Sequence, residues 1–332
     1  MKPNTLSGYL KKAIVRNYPV LIKGKPGIGK TEIISAAASD ADSDLIISHP
    51  VVADPTDFKG LPFPTSDGRA EFLPYGDLDR IKKASKKTVY FLDDLGQASA
   101  AVQAACMQLI LARQINGHPV SDLVTFLAAT NRKIDHAGVS TFLNPLRSRF
   151  YSIIELDVSA QDWVLWAENN RMPAELIAYI KFNPRVLDEA VQSKELENTV
   201  SPRTLANLGR QQMDGLDPDE EPEVFAGAAG EAFSIEYGNF LALCRQMPNL
   251  DDIIANPASA IVHPNPSVMY AITGGLSRVM NDSNIGSICS YLDRIEPDDA
   301  IACMTNATNR NKQLCKNREY ALWAAKHHKA IA

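Results

Sequence analysis

The octapeptide GKPGIGKT at residues 24–31 has the residue types of a phosphate cradle. Gly24, Gly29, Lys30 and Thr31 fit the pattern G-x-x-x-x-G-K-[ST]. Glycines let a loop curl so that successive N–H groups point at phosphate oxygens. A helix starting behind the loop adds its positive end. Lys30 is placed to reach terminal phosphates, and Thr31 to offer its hydroxyl to Mg2+. The candidate nucleotide-binding set is Gly24, Lys25, Pro26, Gly27, Ile28, Gly29, Lys30, Thr31 and Glu32.

Binding alone is not hydrolysis, which needs acids and a cation at the right edge. The stretch VYFLDDLGQA (89–98) ends an apolar run in two carboxylates. Asp93 is the candidate to hold Mg2+ through water, with Thr31 as the second metal-side residue. Asp94 would orient or deprotonate the attacking water. The run LVTFLAATN (123–131) ends in Thr130 and Asn131, and Asn131 could position the same water. In STFLNPLRSRF (140–150), Arg147 and Arg149 are permanently cationic, planar groups suited to developing phosphoryl charge. In SPRTL (201–205), Arg203 falls in the first turn of a helix, where a cation opposes the helix dipole. It therefore calls for another partner, and a nucleotide phosphate fits.

These residues need a scaffold. PVLIKG (19–24), DLIISHPVV (44–52), TVYFLDD (88–94), LVTFLAATN and FYSIIELDV (150–158) read as strands that alternate with helices. Their apolar runs are continuous, as in parallel strands covered on both faces. Residues 5–17 read as a helix with Thr5 or Ser7 as cap, 53–76 as an irregular Pro/Gly/Asp-rich insertion, and 76–87 as a polar helix. Asn116-Gly117 marks a tight hairpin. After residue 158 only helices are expected, including one long stretch at 223–247 and another at 297–330. The acidic segment 215–223 reads as an exposed connection.

Length and composition agree with this plan. The 332 residues exceed one ordinary core, and 45% hydrophobic with 22% charged residues is a globular balance. A net charge of -5 argues against a general polyanion-binding surface, though not against a local basic groove. Five cysteines at 106, 244, 289, 303 and 315 include no CxxC pair, so neither a disulfide framework nor a metal cluster is expected. His327 and His328 fit a helical tail better than a metal site. No signal peptide and no run of roughly 18 apolar residues is present, so the chain is read as cytoplasmic and without membrane contact.

In this order GKPGIGKT, VYFLDD, LAATN, LRSRF and SPRTL resemble the motifs of an AAA+ ATPase. DPTDFKGLPFP (54–64), AEFLPYGDL (70–78) and QASAAVQAACMQLILARQING (97–117) are similar to the insertion, helix and hairpin of its MoxR-type branch. DVSAQDWVLWA, YIKFNPRVL and NPSVMYAI extend that likeness, which covers about residues 18–275. The resemblance implies an α/β fold: a P-loop NTPase (AAA+) core with a parallel five-stranded sheet between helices, then an all-α lid and a helical C-terminal extension. Residues 1–158 would be the nucleotide-binding domain, with an insertion at about 53–76 and a hairpin at about 113–122; residues 159–332 would be the lid and extension. ATP and Mg2+ would be the ligands. The chain would form a ring, usually of six copies, that remodels or activates a partner protein; partners in that family often carry a von Willebrand factor A domain. Lys30, Thr31, Asp93, Asp94 and Asn131 would act on ATP in their own subunit. Arg149 would reach the neighbour's ATP, and Arg203 would sense nucleotide from the lid. Loops 54–76 and 114–120 would face the pore or a partner.

The sequence departs from that pattern in three places. Asp93-Asp94 stands for Asp-Glu, an acid shorter by about 1.5 Å, which predicts slow hydrolysis. Gly96-Gln97 stands for Asn-Arg, and Arg147 adds a second finger candidate. Two other readings remain open: a nucleic-acid motor or loader on the same scaffold, which the acidic charge disfavours, and a nucleotide-switched binding module that barely turns over.

Overall fold

The computed structural model describes residues 1–135, 142–187, 197–245 and 249–327. In chain order the first part runs α1 (Pro3–Val15), β1 (Val20–Gly24), α2 (Lys30–Asp40), β2 (Asp44–Ser48), α3 (Thr56–Lys59), β3 (Leu61–Pro64), β4 (Ala70–Leu73), α4 (Asp77–Lys82) and β5 (Thr88–Leu92). It continues with α5 (Ala100–Ala112), β6 (Gln114–Ile115), β7 (His118–Pro119), β8 (Val124–Asn131), α6 (Asn144–Arg147), β9 (Ser152–Glu155), α7 (Ala160–Asn169), α8 (Ala174–Phe182) and α9 (Pro202–Met213). Two compact units result. One comprises Met1–Met172, Pro184–Gly215 and Gly227–Gly230, the other Pro173–Asn183, Leu216–Ala226 and Glu231–Ala332.

The first unit holds a five-stranded sheet in the order β2-β5-β8-β1-β9, parallel throughout. Successive residues of a strand point to opposite faces, and here both faces are covered. Val20, Ile22, Val89, Phe91, Leu127 and Ala129 pack with Leu10, Ile14, Ile34 and Ala37 of α1 and α2. Leu21, Tyr90, Leu92, Phe126 and Ala128 pack on the other side with Val102, Cys106 and Leu109 of α5. All five residues of β5 are buried, which is why its sequence shows no polar alternation.

Several boundaries differ from expectation. The first helix starts at Pro3 after Lys2, not at Thr5 or Ser7, because proline at the first helical position needs no N–H partner. Strand β2 stops at Ser48, where Pro50 opens a short 3-10 turn. The polar helix after Gly76 is only six residues long. Inside 53–76, β3 and β4 pair antiparallel, Leu61 with Leu73 and Phe63 with Glu71, so the insertion is an ordered hairpin.

The second unit is helical. Besides α8 it holds most of α10 (Glu221–Ala229), then α11 (Glu231–Arg245), α12 (Leu250–Ala255), α13 (Pro266–Val279), α14 (Ile285–Leu292), α15 (Pro297–Arg310) and α16 (Arg318–Lys326). The stretch expected to be helical at 223–247 is helical, as two helices that meet at Gly230, which sits at φ +94°. The expected one at 297–330 is likewise two helices, and its last residues, with His328, lie outside the described residues. The 215–223 segment is not wholly exposed: Glu221 is buried and paired with Arg245 at 2.5 Å. Ile272, Leu276, Ile288, Tyr291, Ala300 and Ala307 form the core of α13 to α15. Among the described residues no helix is long and apolar enough to cross a membrane.

Candidate nucleotide site

Three strand ends meet at one edge of the sheet. Gly24 stands beside Asn131 in the β1–β8 register, and Leu92 beside Ala128 in the β5–β8 register. The loop after β1, the acids after β5 and the end of β8 therefore share the C-terminal edge, where open parallel sheets bind ligands.

The loop between β1 and α2 takes left-handed conformations at Gly27 (φ +73°) and Gly29 (φ +86°), which side chains disfavour. Gly29 caps α2, so the helix begins at Lys30 itself. The Lys30 side chain is buried, with 7% exposed. Its ammonium donates to Gly24 O at 3.2 Å, Lys25 O at 2.9 Å and Asn131 Oδ1 at 2.7 Å. Burial lowers its pKa to about 8; the nearby Asp94, Asp93 and Asp135 oppose that shift, and Arg203 adds to it. One residue on, the Thr31 hydroxyl donates to Asp93 Oδ2 at 2.8 Å. Asp93 Oδ1 accepts from the backbone N–H of Asp94 at 3.1 Å. The neighbours Lys30 and Thr31 thus bring in Asn131 and Asp93, both far away in sequence, as two adjacent polar pairs. Glu32 lies in the first turn of α2, exposed.

Asp94 leads into the short 3-10 turn Leu95–Gln97 and is itself left-handed at φ +55°. Gln97 Nε2 donates to Asp94 Oδ1 at 2.7 Å. This turn lies against β8 so closely that a Cβ on Gly96 would fall inside the Thr130 hydroxyl and 3.1 Å from Thr130 Cβ. A residue without a Cβ is required here. Gly96→Ala is therefore expected to cost about 1–3 kcal/mol of stability, the range for overpacking. Thermal melts of the nucleotide-free variant measure it.

Helix α9 opens with a capping box between Ser201 and Thr204 and with Pro202 at its first position. The N–H of Arg203 donates to Gly27 O at 3.0 Å, so the start of α9 is bonded to the loop. The Arg203 side chain is exposed, and its charge bears on Lys30. Arg147, last in α6, is also exposed. Arg149 is half-buried, and its Nε has no hydrogen-bond partner among the described residues.

One cluster was not foreseen. Arg132 follows Asn131 and grips Asp135 through Nε at 2.9 Å and Nη2 at 2.6 Å; Nη1 meets Glu155 at 3.2 Å. Lys23 pairs with Glu155 at 2.8 Å. The Arg132 hydrogen bonds hold the Asp135 carboxyl below its usual range, and Lys23, then Arg132, do the same for Glu155. The cluster ties the ends of β1, β8 and β9 together beside Asn131. Arg132 and Asp135 at i and i+3 were the available signal, but Glu155 joins them only through the fold. In sequence Gln97 is only a departure from the family pattern; its bond to Asp94 needs the turn geometry.

The model of the ATPase family associated with various cellular activities (AAA) matches residues 20–158. No curated protein sequence matches the chain. A RuvB mutant of Thermotoga maritima is 19% identical over 82% of this chain and 80% of its own, with a TM-score of 0.44. NtrX of Brucella abortus, solved with ADP, is 15% identical over 96% of this chain and 66% of its own, with a TM-score of 0.41. The strand order and the family match together place residues 20–158 in the P-loop AAA+ fold.

Proposed function

We propose, from the premise that residues 20–158 form an AAA ATPase-family domain, that this protein binds ATP with Mg2+ and hydrolyses it to ADP and phosphate. The observation that carries the reading is the buried Lys30 ammonium. It is surrounded by two loop carbonyls and the Asn131 amide, with its proton affinity already reduced. A triphosphate supplies an anion in direct contact with the ammonium, where its present hydrogen-bond partners are neutral oxygens. The residues also suit Mg2+, a hard cation that takes oxygen ligands: the Thr31 hydroxyl and the Asp93 carboxylate are adjacent. Bound Mg2+ would neutralise phosphate charge there. Residues Gly24 to Glu32 hold the phosphates, and Lys30 contacts the terminal ones. Asn131 and Asp94 orient the attacking water, Asp94 taking up its proton. Arg203, beside Gly27, contacts phosphate from α9. Release of phosphate from ATP by the purified protein, abolished by EDTA and restored by Mg2+, is the expected result. No release above buffer, with the protein folded, rejects the reading.

The finer assignment is a MoxR-like member of the class, a chaperone-like remodeller or activator of a partner protein that works in the cytoplasm as a ring of six copies. Residues 159–332 serve as lid and C-terminal extension. The likeness of 54–64, 70–78 and 97–117 to that branch supports this, as do exposed Leu61, Phe63, Phe72 and Leu73 on the β3–β4 hairpin. Asn116 Nδ2 donates to Lys59 O at 2.7 Å and His118 Nε2 lies 3.1 Å from Phe72 O, so the two hairpins present one surface. A partner with a von Willebrand factor A domain suits it. Arg149 acts on the neighbour's ATP, in keeping with an Nε that has no partner among the described residues. Mixing Arg149→Ala with Lys30→Ala protein, each inactive alone, is expected to restore part of the turnover, because some interfaces then pair an intact finger with an intact loop. Absence of any recovery excludes Arg149 as the finger.

A further inference from the structure

We propose that Gln97 is a positioning residue that holds Asp94 for hydrolysis; this rests on the reading of Asp94 as the group that orients and deprotonates water. The Gln97 amide is held chiefly through its nitrogen. Its Nε2 donates to Asp94 Oδ1 at 2.7 Å, while its Oε1 lies 3.5 Å from Thr130 Oγ1, a long contact because that hydroxyl also reaches Asn131 O at 3.2 Å. A primary amide with its oxygen toward a hydroxyl presents its N–H groups on the opposite side, here toward Asp94. The backbone adds a second constraint. The N–H of Gln97 returns to Asp94 O at 2.9 Å, closing the turn that keeps Asp94 left-handed. The close approach of Gly96 to Thr130 presses that turn onto β8. Asp94, Gln97 and Thr130 therefore form a chain of contacts that ends beside Asn131, the other residue assigned to the water. One Asp94 oxygen is engaged by Gln97, and the other is the one assigned to the substrate water. A short acid must reach the water from a single rotamer, and misplacement by about 1 Å costs on the order of a hundredfold in rate. Gln97 supplies that restraint from within the same subunit.

The test is Gln97→Met, which keeps the length and removes the donor. Single-turnover kcat is expected to fall about tenfold to a hundredfold, with the KM and the calorimetric Kd for MgATP unchanged within about twofold. In an Asp94→Asn background the same change is expected to add no further loss. A crystal structure of nucleotide-free Gln97→Met is expected to show the Asp94 carboxylate moved from its place. A kcat within about twofold of the parent, an undisplaced carboxylate, or a loss that adds fully to that of Asp94→Asn overturns the proposal. So does a fall in kcat matched by an equal loss of binding. Should Gln97→Met not stay folded, Gln97→Asn, which retracts the amide, is put through the same comparison with the same expected losses. If Asp94→Asn alone turns over like the parent, the reading of Asp94 fails; if Asp94→Asn is dead and Gln97→Met is silent, only this proposal fails.

Discussion

Lys30→Met is expected to weaken MgATP binding at least about a hundredfold, the loss of charge-assisted contacts to phosphate, while raising the melting temperature of the nucleotide-free protein. The two effects share one cause. The ammonium is buried, and burial outweighs the attraction of Asp94 and Asp93, so its pKa falls from 10.5 to about 8. Below about pH 8 the folded and unfolded chains both carry the proton, and the full cost of burying the charge is present. That cost is on the order of 3 kcal/mol. Between about pH 8 and 10.5 the folded chain loses the proton first. The unfolded chain then binds more protons, so this group's contribution to stability rises with pH. Methionine removes both the cost and its pH dependence. The Gly24 and Lys25 carbonyls and the Asn131 amide lose a donor, a smaller loss where water can replace it. Calorimetric titration with MgATP at pH 7 and thermal melts from pH 7 to 10 check the two halves. A nucleotide-free variant that melts well below the parent would show that the three hydrogen bonds, not the buried charge, dominate at this position.

The parts of the site that sequence reveals are those built by short-range chemistry. The loop from Gly24 to Thr31 needs glycine at left-handed positions and a lysine at the start of a helix, and both leave a mark in residue type. Strands β1, β5 and β8 are covered on both faces, so their continuous apolar runs give parallel pairing, and with it the shared edge of Gly24, Asp93 and Asn131. What stayed hidden depends on contacts across the fold or on backbone hydrogen bonds without side-chain burial. The β3–β4 hairpin has every residue exposed, so it shows no buried face, and Pro62 and Pro64 read as loop residues although an edge strand tolerates them. Breaks at Pro50 and Gly230 are single-residue events inside otherwise periodic stretches. The Arg132–Asp135–Glu155 cluster and the Thr130–Gln97–Asp94 contacts join residues whose neighbourhood exists only once β8, β9 and the turn after β5 are in place.

The acidic pair after β5 sets the second large effect. Asp94→Asn is expected to lower ATP turnover on the order of a hundredfold or more, the range for loss of a general base, with MgATP affinity nearly unchanged. The geometry favours a clean comparison. Asp94 is left-handed at φ +55°, a conformation asparagine adopts readily, so the turn survives the change. An amide can still accept from Gln97 Nε2 through its oxygen, and the N–H of residue 94 can still donate to Asp93 Oδ1, as it does now at 3.1 Å. Thr31 and Asp93 keep their mutual bond, so the residues assigned to Mg2+ and phosphate are untouched. Only the ability to take a proton is lost. Asp94→Glu tests the length of the acid separately. One added methylene extends the reach by about 1.5 Å, but Gln97 is spaced for aspartate. Turnover is therefore expected to rise over the parent only where Gln97 is also shortened to asparagine, and to stay below it in Asp94→Glu alone. Phosphate release from the four proteins, parent, Asp94→Asn, Asp94→Glu and Asp94→Glu with Gln97→Asn, decides the point. Equal rates in the first three would remove Asp94 from the chemistry.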